Sequence, residues 1–284
     1  MTIRSAQQNL LTQLKLLYDE REAANIADLV LEHITGKTKS GRLLIKDELL
    51  STAARSQLEQ ITKELATHRP VQYVLGEAWF AGMCFFVNEY VLIPRPETEE
   101  LVNWVVDVAG KAAATKILDI GTGSGCIPTA LKRKLPAATV VSLDVSTDAI
   151  AVAVRNAQAL NADIELIELD ILDESKWDSL PVFDIIVSNP PYVKHSEQDT
   201  MSKHVTDFEP ALALFVPDED ALLFYRKIAG FGKTHLKPNG SLFFEINEAL
   251  GREVKLLLEE NGYSAELRKD LQGRDRMVMA NFII

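Results

Sequence analysis

Between residues 3 and 67 the apolar positions recur at three- and four-residue steps. Leu10, Leu11, Leu14, Leu17 and Tyr18 are followed by Ile26, Leu29 and Val30, and then by Leu58, Ile61 and Leu65. That period lines one face of a helix, so the spacing predicts four or five short helices. Gly36 suits the stop of a helix over about 22–34, and Ser51 the N-cap of a later one. From Pro70 the pattern changes: residues 71–76 and 79–87 are dense in aromatic and β-branched side chains around Gly82, which predicts a β-hairpin. Pro94 and Pro96 then stiffen the approach to a helix over about 97–109, with Glu97, Glu99 and Glu100 at its positive end.

Beyond it, strand and helix patterns alternate. Runs 116–120, 139–143, 164–169, 183–187 and 241–246 read as strands. Helices from about 127 and over 149–160, 219–230 and 251–261 lie between or after them. Runs 265–269 and 277–283 close the chain as an antiparallel pair, with turns marked by Asn239-Gly240 and Asn261-Gly262. This order predicts an α/β fold, a mostly parallel sheet with an antiparallel last strand. The polar stretch 193–208 is long for a loop in a compact domain, and such loops are functional or disordered. The division expected is a helical domain over 1–75, a β-hairpin linker over 76–94 and an α/β domain over 95–284. The helices carry no catalytic constellation; they serve either as packing or as a docking surface for a macromolecule.

Candidate chemistry gathers where the strands stop. The first strand enters Gly121-Thr122-Gly123-Ser124-Gly125 ahead of a helix, and alternating glycines let the backbone turn tightly and approach a ligand. The loop lacks Gly-x-Gly-x-x-Gly spacing and the Lys-Ser/Thr of a P-loop, which argues against NAD and ATP. The second strand ends in Asp144, about twenty residues on, where a carboxylate can accept hydrogen bonds from a ribose diol. The third ends in Asp170, and a lone Asp there is more often a cap or turn. The fourth ends at Ser188-Asn189-Pro190-Pro191-Tyr192. Two prolines halt strand pairing and leave an amide side chain, unpaired carbonyls and an aromatic ring at the end of the sheet where ligands bind. Arg95, a cation between two prolines, is an unusual choice for a spacer.

Composition narrows this further. With 284 residues, 47% of them apolar, the chain can bury a large core, and its apolar runs are too short to span a membrane. Residues 1–8 lack the build of a signal peptide, so a cytoplasmic location is expected. Cys84, Cys126 and the five histidines lack metal-ligand spacing, so no metal is expected. Residues 1–75 hold ten of the 30 Lys/Arg and nine of the 41 Asp/Glu, so the net charge of −11 belongs to the remainder. An acidic α/β part repels a phosphate backbone.

Together the Asp-x-Gly-x-Gly-x-Gly loop from Asp119, the acidic Asp144 and Asn-Pro-Pro-Tyr resemble the class I S-adenosylmethionine-dependent methyltransferases, a Rossmann-like family. Arg69-Pro70-Val71-Gln72-Tyr73-Val74-Leu75-Gly76, Ile93-Pro94-Arg95-Pro96-Glu97-Thr98-Glu99 and Phe208-Glu209-Pro210 are similar to the peptide chain release factor glutamine methyltransferases. Cys126 and Pro128 depart mildly from the residues expected after the loop. The resemblance implies methyl transfer to the glutamine amide nitrogen in the Gly-Gly-Gln loop of release factors, which tunes translation termination. It implies that Asn189 and the Pro190 carbonyl accept from the two amide N–H bonds, with Pro191 and Tyr192 packing against the flat amide. It places the cofactor against Gly121, Thr122, Gly123, Ser124, Gly125 and Asn189, with Asp119 orienting the loop, Asp144 taking the ribose and Asp170 near the adenine. Arg95, Glu97 and Thr98 would cover the site. The partners implied are class 1 release factors, with no direct nucleic acid and no membrane; the sequence leaves the oligomeric state open, a monomer being expected. The alternatives are a methyltransferase acting on an exocyclic base amine, which the same Asn-Pro-Pro-Tyr logic suits, and a non-catalytic S-adenosylmethionine-binding interaction protein.

Overall fold

Each early helix carries its own start signal. Asp19 accepts from the Arg21 and Glu22 N–H groups at the head of α2 (Glu20–Thr35), following α1 (Ile3–Leu14), and Gly36 closes α2 in the left-handed conformation. After α3 (Lys39–Leu44), Ser51 accepts from Ala54 N–H to cap α4 (Thr52–Leu65). The apolar faces meet in a core containing Ala6, Leu10, Leu14, Val30, Leu31 and Leu65. Buried Arg42 is satisfied within it, donating to Asp28 Oδ1 and to the Lys37 carbonyl. Residues 71–75, expected as part of a hairpin, instead form the short helix α5 (Val71–Leu75), closed by Gly76 at φ 68°. Packing decides this: Val71 belongs to the helical core, which overrides its β propensity.

In this computed structural model residues 1–110 and 115–282 are described. They group into two units: 1–77 with 202–208, and 78–201 with the chain from Glu209 onward.

The second unit opens with a hairpin, β1 (Ala78–Phe80) and β2 (Met83–Phe85), turned by Ala81 and Gly82 at φ 50° and 74°. A two-residue turn with both φ positive suits the right-handed twist of its strands. Phe80 and Phe85 bury against α6 (Pro96–Ala109) in a core shared with Trp104 and Phe243. Alternation then follows: β3 (Lys116–Ile120), α7 (Cys126–Lys134), β4 (Thr139–Asp144), α8 (Thr147–Ala159), β5 (Glu165–Glu168) and β6 (Phe183–Ser188). The stretch after Tyr192 has structure of its own. β7 (Val193–Lys194) pairs in parallel with β8 (Phe215–Val216), with α9 (Lys203–Thr206) and α10 (Ala211–Leu214) between them in the chain. Residues 202–208 fold with the first unit, where His204 stacks on Tyr18 at 5.3 Å and its Nδ1–H donates to the His68 carbonyl.

The chain ends with α11 (Leu223–His235), β9 (Leu236–Glu245), α12 (Gly251–Glu260), β10 (Tyr263–Lys269) and β11 (Asp275–Phe282). α11 runs past Gly230 because Ile228, Ala229 and Phe231 are held in the core. Asn239-Gly240, expected as a turn, is an excursion inside β9: Phe183 pairs with Leu236 but Ile185 with Ser241, so the extra residues bulge out. The last strand reaches Phe282; Ile283, expected to continue it, lies outside the described residues. The seven strands lie in the order β10-β11-β9-β6-β3-β4-β5, with β11 alone running against the other six. β3, β4 and β6 therefore present their carboxyl ends side by side.

Candidate active site

At those ends a cavity opens, lined by Gly121, Thr122, Gly123, Ser124, Asp144, Asp170, Asn189, Pro190, Pro191, Arg95 and Thr98, among others. The glycine loop is fixed from beneath, since Gly121 and Thr122 N–H donate to the Leu143 carbonyl and Gly125 N–H to that of Thr122. Gly121 and Gly123 have φ of 83° and 52°, and a Cβ on either would meet nothing within 4 Å except open space. Their exposed backbone is a cradle that a ligand can fill. Ser124 Oγ and Thr122 Oγ1 are buried on the same wall without a hydrogen-bond partner among the described residues, and buried polar groups usually have one. Asp144 Oδ2 accepts from Gly123 N–H and Oδ1 from Ser146 N–H, leaving further lone pairs toward the cavity. Burial raises its pKa, opposed by those N–H bonds. Asp170 makes the ordinary turn contact with Leu172 N–H, yet also lines the cavity beside Ile171, Leu172 and Phe224, an apolar slot with one acceptor. An open glycine cradle, a ribose-ready carboxylate and an apolar slot fit S-adenosylmethionine.

Asp119, expected to orient the loop, and Gly125 and Tyr192, expected at the ligands themselves, do not line the cavity. Asp119 is fully buried under the loop, accepting from Ser142 Oγ at 2.6 Å, and does not line the cavity. Burial pushes its pKa up to about 7 against the pull of that hydroxyl. Gly125 is also off the wall, because a Cβ there would lie 3.1 Å from the Cβ of Ala153; its lack of a side chain serves the packing of α8. Tyr192 is turned away from the cavity, its hydroxyl donating to Glu245 Oε1 at 3.4 Å, and burial raises its pKa.

The proposed cover divides as well. Arg95 lines the cavity and donates to buried Glu209 at 2.5 Å, while Glu209 also accepts from Ile93 N–H. Thr98 is buried inside the site rather than over it, donating to Glu245 Oε2 at 2.6 Å and accepting from Asn189 Nδ2 at 3.3 Å. Glu97 is absent from the cavity wall and accepts from Gln272. Glu209 and Glu245 are site carboxylates given no role in the expectations from sequence. Glu245 ends β9, one residue before the end of the run 241–246 read from sequence, so that boundary hid it as a polar strand end.

A parallel sheet with one reversed strand, a glycine cradle after β3, Asp144 ending β4 and Asn-Pro-Pro after β6 define a class I methyltransferase. Comparison agrees: residues 101–211 match the Methyltransferase small domain and residues 6–76 the PrmC N-terminal domain. A methyltransferase from Pyrococcus furiosus shares the fold, with 16% identity and a TM-score of 0.52 over 82% of this chain and 100% of that one. The release factor glutamine methyltransferase of Flavobacterium psychrophilum is 43% identical over 99% of this chain and 100% of its own length. That of Bacteroides thetaiotaomicron is 41% identical over 93% and 95%. The chain belongs to the release factor glutamine methyltransferase family.

Proposed function

We propose that this enzyme transfers a methyl group from S-adenosylmethionine to the side-chain amide nitrogen of the glutamine in the Gly-Gly-Gln loop of peptide chain release factors, in the cytoplasm. The observation that carries this reading is the placement of Asn189 and Pro190 on the wall that also carries the glycine cradle. A carboxamide nitrogen is a poor nucleophile because its lone pair is delocalised into the carbonyl. Asn189 Oδ1 and the Pro190 carbonyl accept from its two N–H bonds, hold it in line and leave more electron density on nitrogen as the new bond forms. When bound, S-adenosylmethionine supplies the methyl on a sulfonium sulfur, which keeps the bonding pair as the methyl leaves. The nitrogen gains the methyl and loses one proton to solvent, so no strong base is needed.

In this reading Gly121, Thr122, Gly123 and Ser124 border the methionine part of the cofactor, Asp144 the ribose and Asp170 the adenine. Pro191 packs at the acceptor, and Tyr192 acts from behind. The helical unit holds the release factor; the match of residues 6–76 to the PrmC N-terminal domain and exposed Leu16, Leu43, Leu44 and Leu49 support it. The acidic α/β part favours a protein acceptor over nucleic acid. Incubating enzyme, S-adenosylmethionine and a release factor, then locating the added methyl by peptide mass spectrometry, tests the proposal. A methyl on any other residue would reject the acceptor.

A further inference from the structure

Asn189 can serve as an acceptor only if its amide points the right way round, and an amide can sit in either of two orientations. Its hydrogen-bonding neighbours settle which. Thr98 has one hydroxyl proton, and with Glu245 ionised, a state that burial opposes and that this hydroxyl and Arg276 favour, it goes to Glu245 Oε2 at 2.6 Å. With that proton committed, Thr98 Oγ1 can only accept from its other neighbour, and that neighbour is Asn189 Nδ2 at 3.3 Å. The amide is thereby locked with its NH2 toward Thr98 and its oxygen away from it. Glu245 is enclosed, 2% exposed, with Tyr192 OH on its second oxygen, so each of its oxygens accepts from one hydroxyl.

We infer that Glu245 and Thr98 are positioning residues for catalysis: a relay running from Glu245 through Thr98 fixes the polarity of Asn189, so that its oxygen meets the acceptor N–H. The inference rests on the reading of Asn189 given above. A relay has a direction, and reversing both ends restores it. The carboxylate introduced by Asn189→Asp offers only acceptors and competes with Glu245 for the single Thr98 proton. If Glu245 is also changed to Gln, the new amide NH2 donates to Thr98 and the Thr98 proton turns toward the carboxylate at position 189. The far oxygen of that carboxylate then faces the site as an acceptor again.

The test measures kcat for methyl transfer to a release factor and the dissociation constant of S-adenosylmethionine in six proteins: wild type, Thr98→Ser, Thr98→Val, Asn189→Asp, Glu245→Gln and Asn189→Asp/Glu245→Gln. Thr98→Ser keeps the hydroxyl and should stay within about 2-fold of wild type. Thr98→Val, of the same shape, should lower kcat by roughly 10- to 100-fold, below the full effect of losing a transition-state hydrogen bond, with cofactor affinity unchanged. The double variant should exceed Asn189→Asp by about 10-fold, a coupling that independent sites do not show. In the free protein, the Asn189 side-chain NH2 resonances, assigned by their loss in Asn189→Asp, should shift in Thr98→Val and not in Thr98→Ser.

Equal activity of the Val and Ser variants, or a double variant no better than Asn189→Asp, overturns the relay while leaving the proposed reaction standing. A wild type that methylates no glutamine overturns the reaction and the relay with it.

Discussion

Removing Glu209 separates two contributions that its carboxylate makes at once. The side chain, 1% exposed, accepts from Ile93 N–H at 3.1 Å and from Arg95 at 2.5 Å. Alanine leaves the N–H of Ile93, itself buried, without a partner, a loss of roughly 1–3 kcal/mol. Arg95 is 33% exposed and regains water, so its share is discounted to that of a surface pair, about 0–1 kcal/mol. Glu209→Ala should therefore cost about 1–4 kcal/mol. Glu209→Gln keeps the shape and one bond but sets an NH2 against the other donor, for roughly 1–2 kcal/mol. Urea unfolding followed by tryptophan fluorescence reads this unit alone, because Trp79, Trp104 and Trp177 all lie in it. Pro94 and Arg95 on one side of the tie and Pro210 and Ala213 on the other all line the cavity. The same variant should therefore weaken S-adenosylmethionine binding by about 3- to 10-fold, equivalent to about 1 kcal/mol. A Glu209→Ala midpoint within about 0.5 kcal/mol of wild type, the ordinary scatter of surface changes, would refute the reasoning.

Other expectations follow from the same geometry. Asn189→Ala should cut kcat by roughly 10² to 10³ with cofactor affinity retained, as loss of one stabilising group does elsewhere; single-turnover rates check it. Gly123→Ala should weaken cofactor binding, since its Cβ would project into the open cradle, whereas Gly125→Ala, pressed on Ala153, should lower the thermal midpoint by the equivalent of about 1–3 kcal/mol. Asp119 binds its proton more tightly folded than unfolded, so its contribution is full below about pH 4 and is lost as pH rises toward 7. Asp119→Asn should therefore unfold at a higher temperature than wild type at about pH 8, with the gap closing toward about pH 4; an equal gap at both would contradict the assignment.

Much of this was legible from residues alone because local signals agreed with the tertiary outcome. Gly36 and Ser51 mark helix ends by their own local chemistry, and the runs 116–120 and 183–187 are apolar enough to be strands buried on both faces. Where packing overrules propensity the pattern misleads, as at Val71, which reads as strand and folds as helix. Glycine spacing marked the cradle but could not say which glycine opens on the cavity: Gly121 and Gly123 do, while Gly125 answers to Ala153. The roles of Thr98, Glu209 and Glu245 were hidden for a different reason. Their partners lie 91 to 147 positions away, and nothing in a local pattern records which distant group a side chain will meet.

The most direct measurement is transfer of labelled methyl from S-adenosylmethionine to an intact release factor. Beside it run the same factor with the glutamine of its Gly-Gly-Gln loop replaced, and duplex and single-stranded nucleic acid. Label on the intact factor alone is the result predicted. Label on nucleic acid, or on the factor lacking that glutamine, would contradict the account.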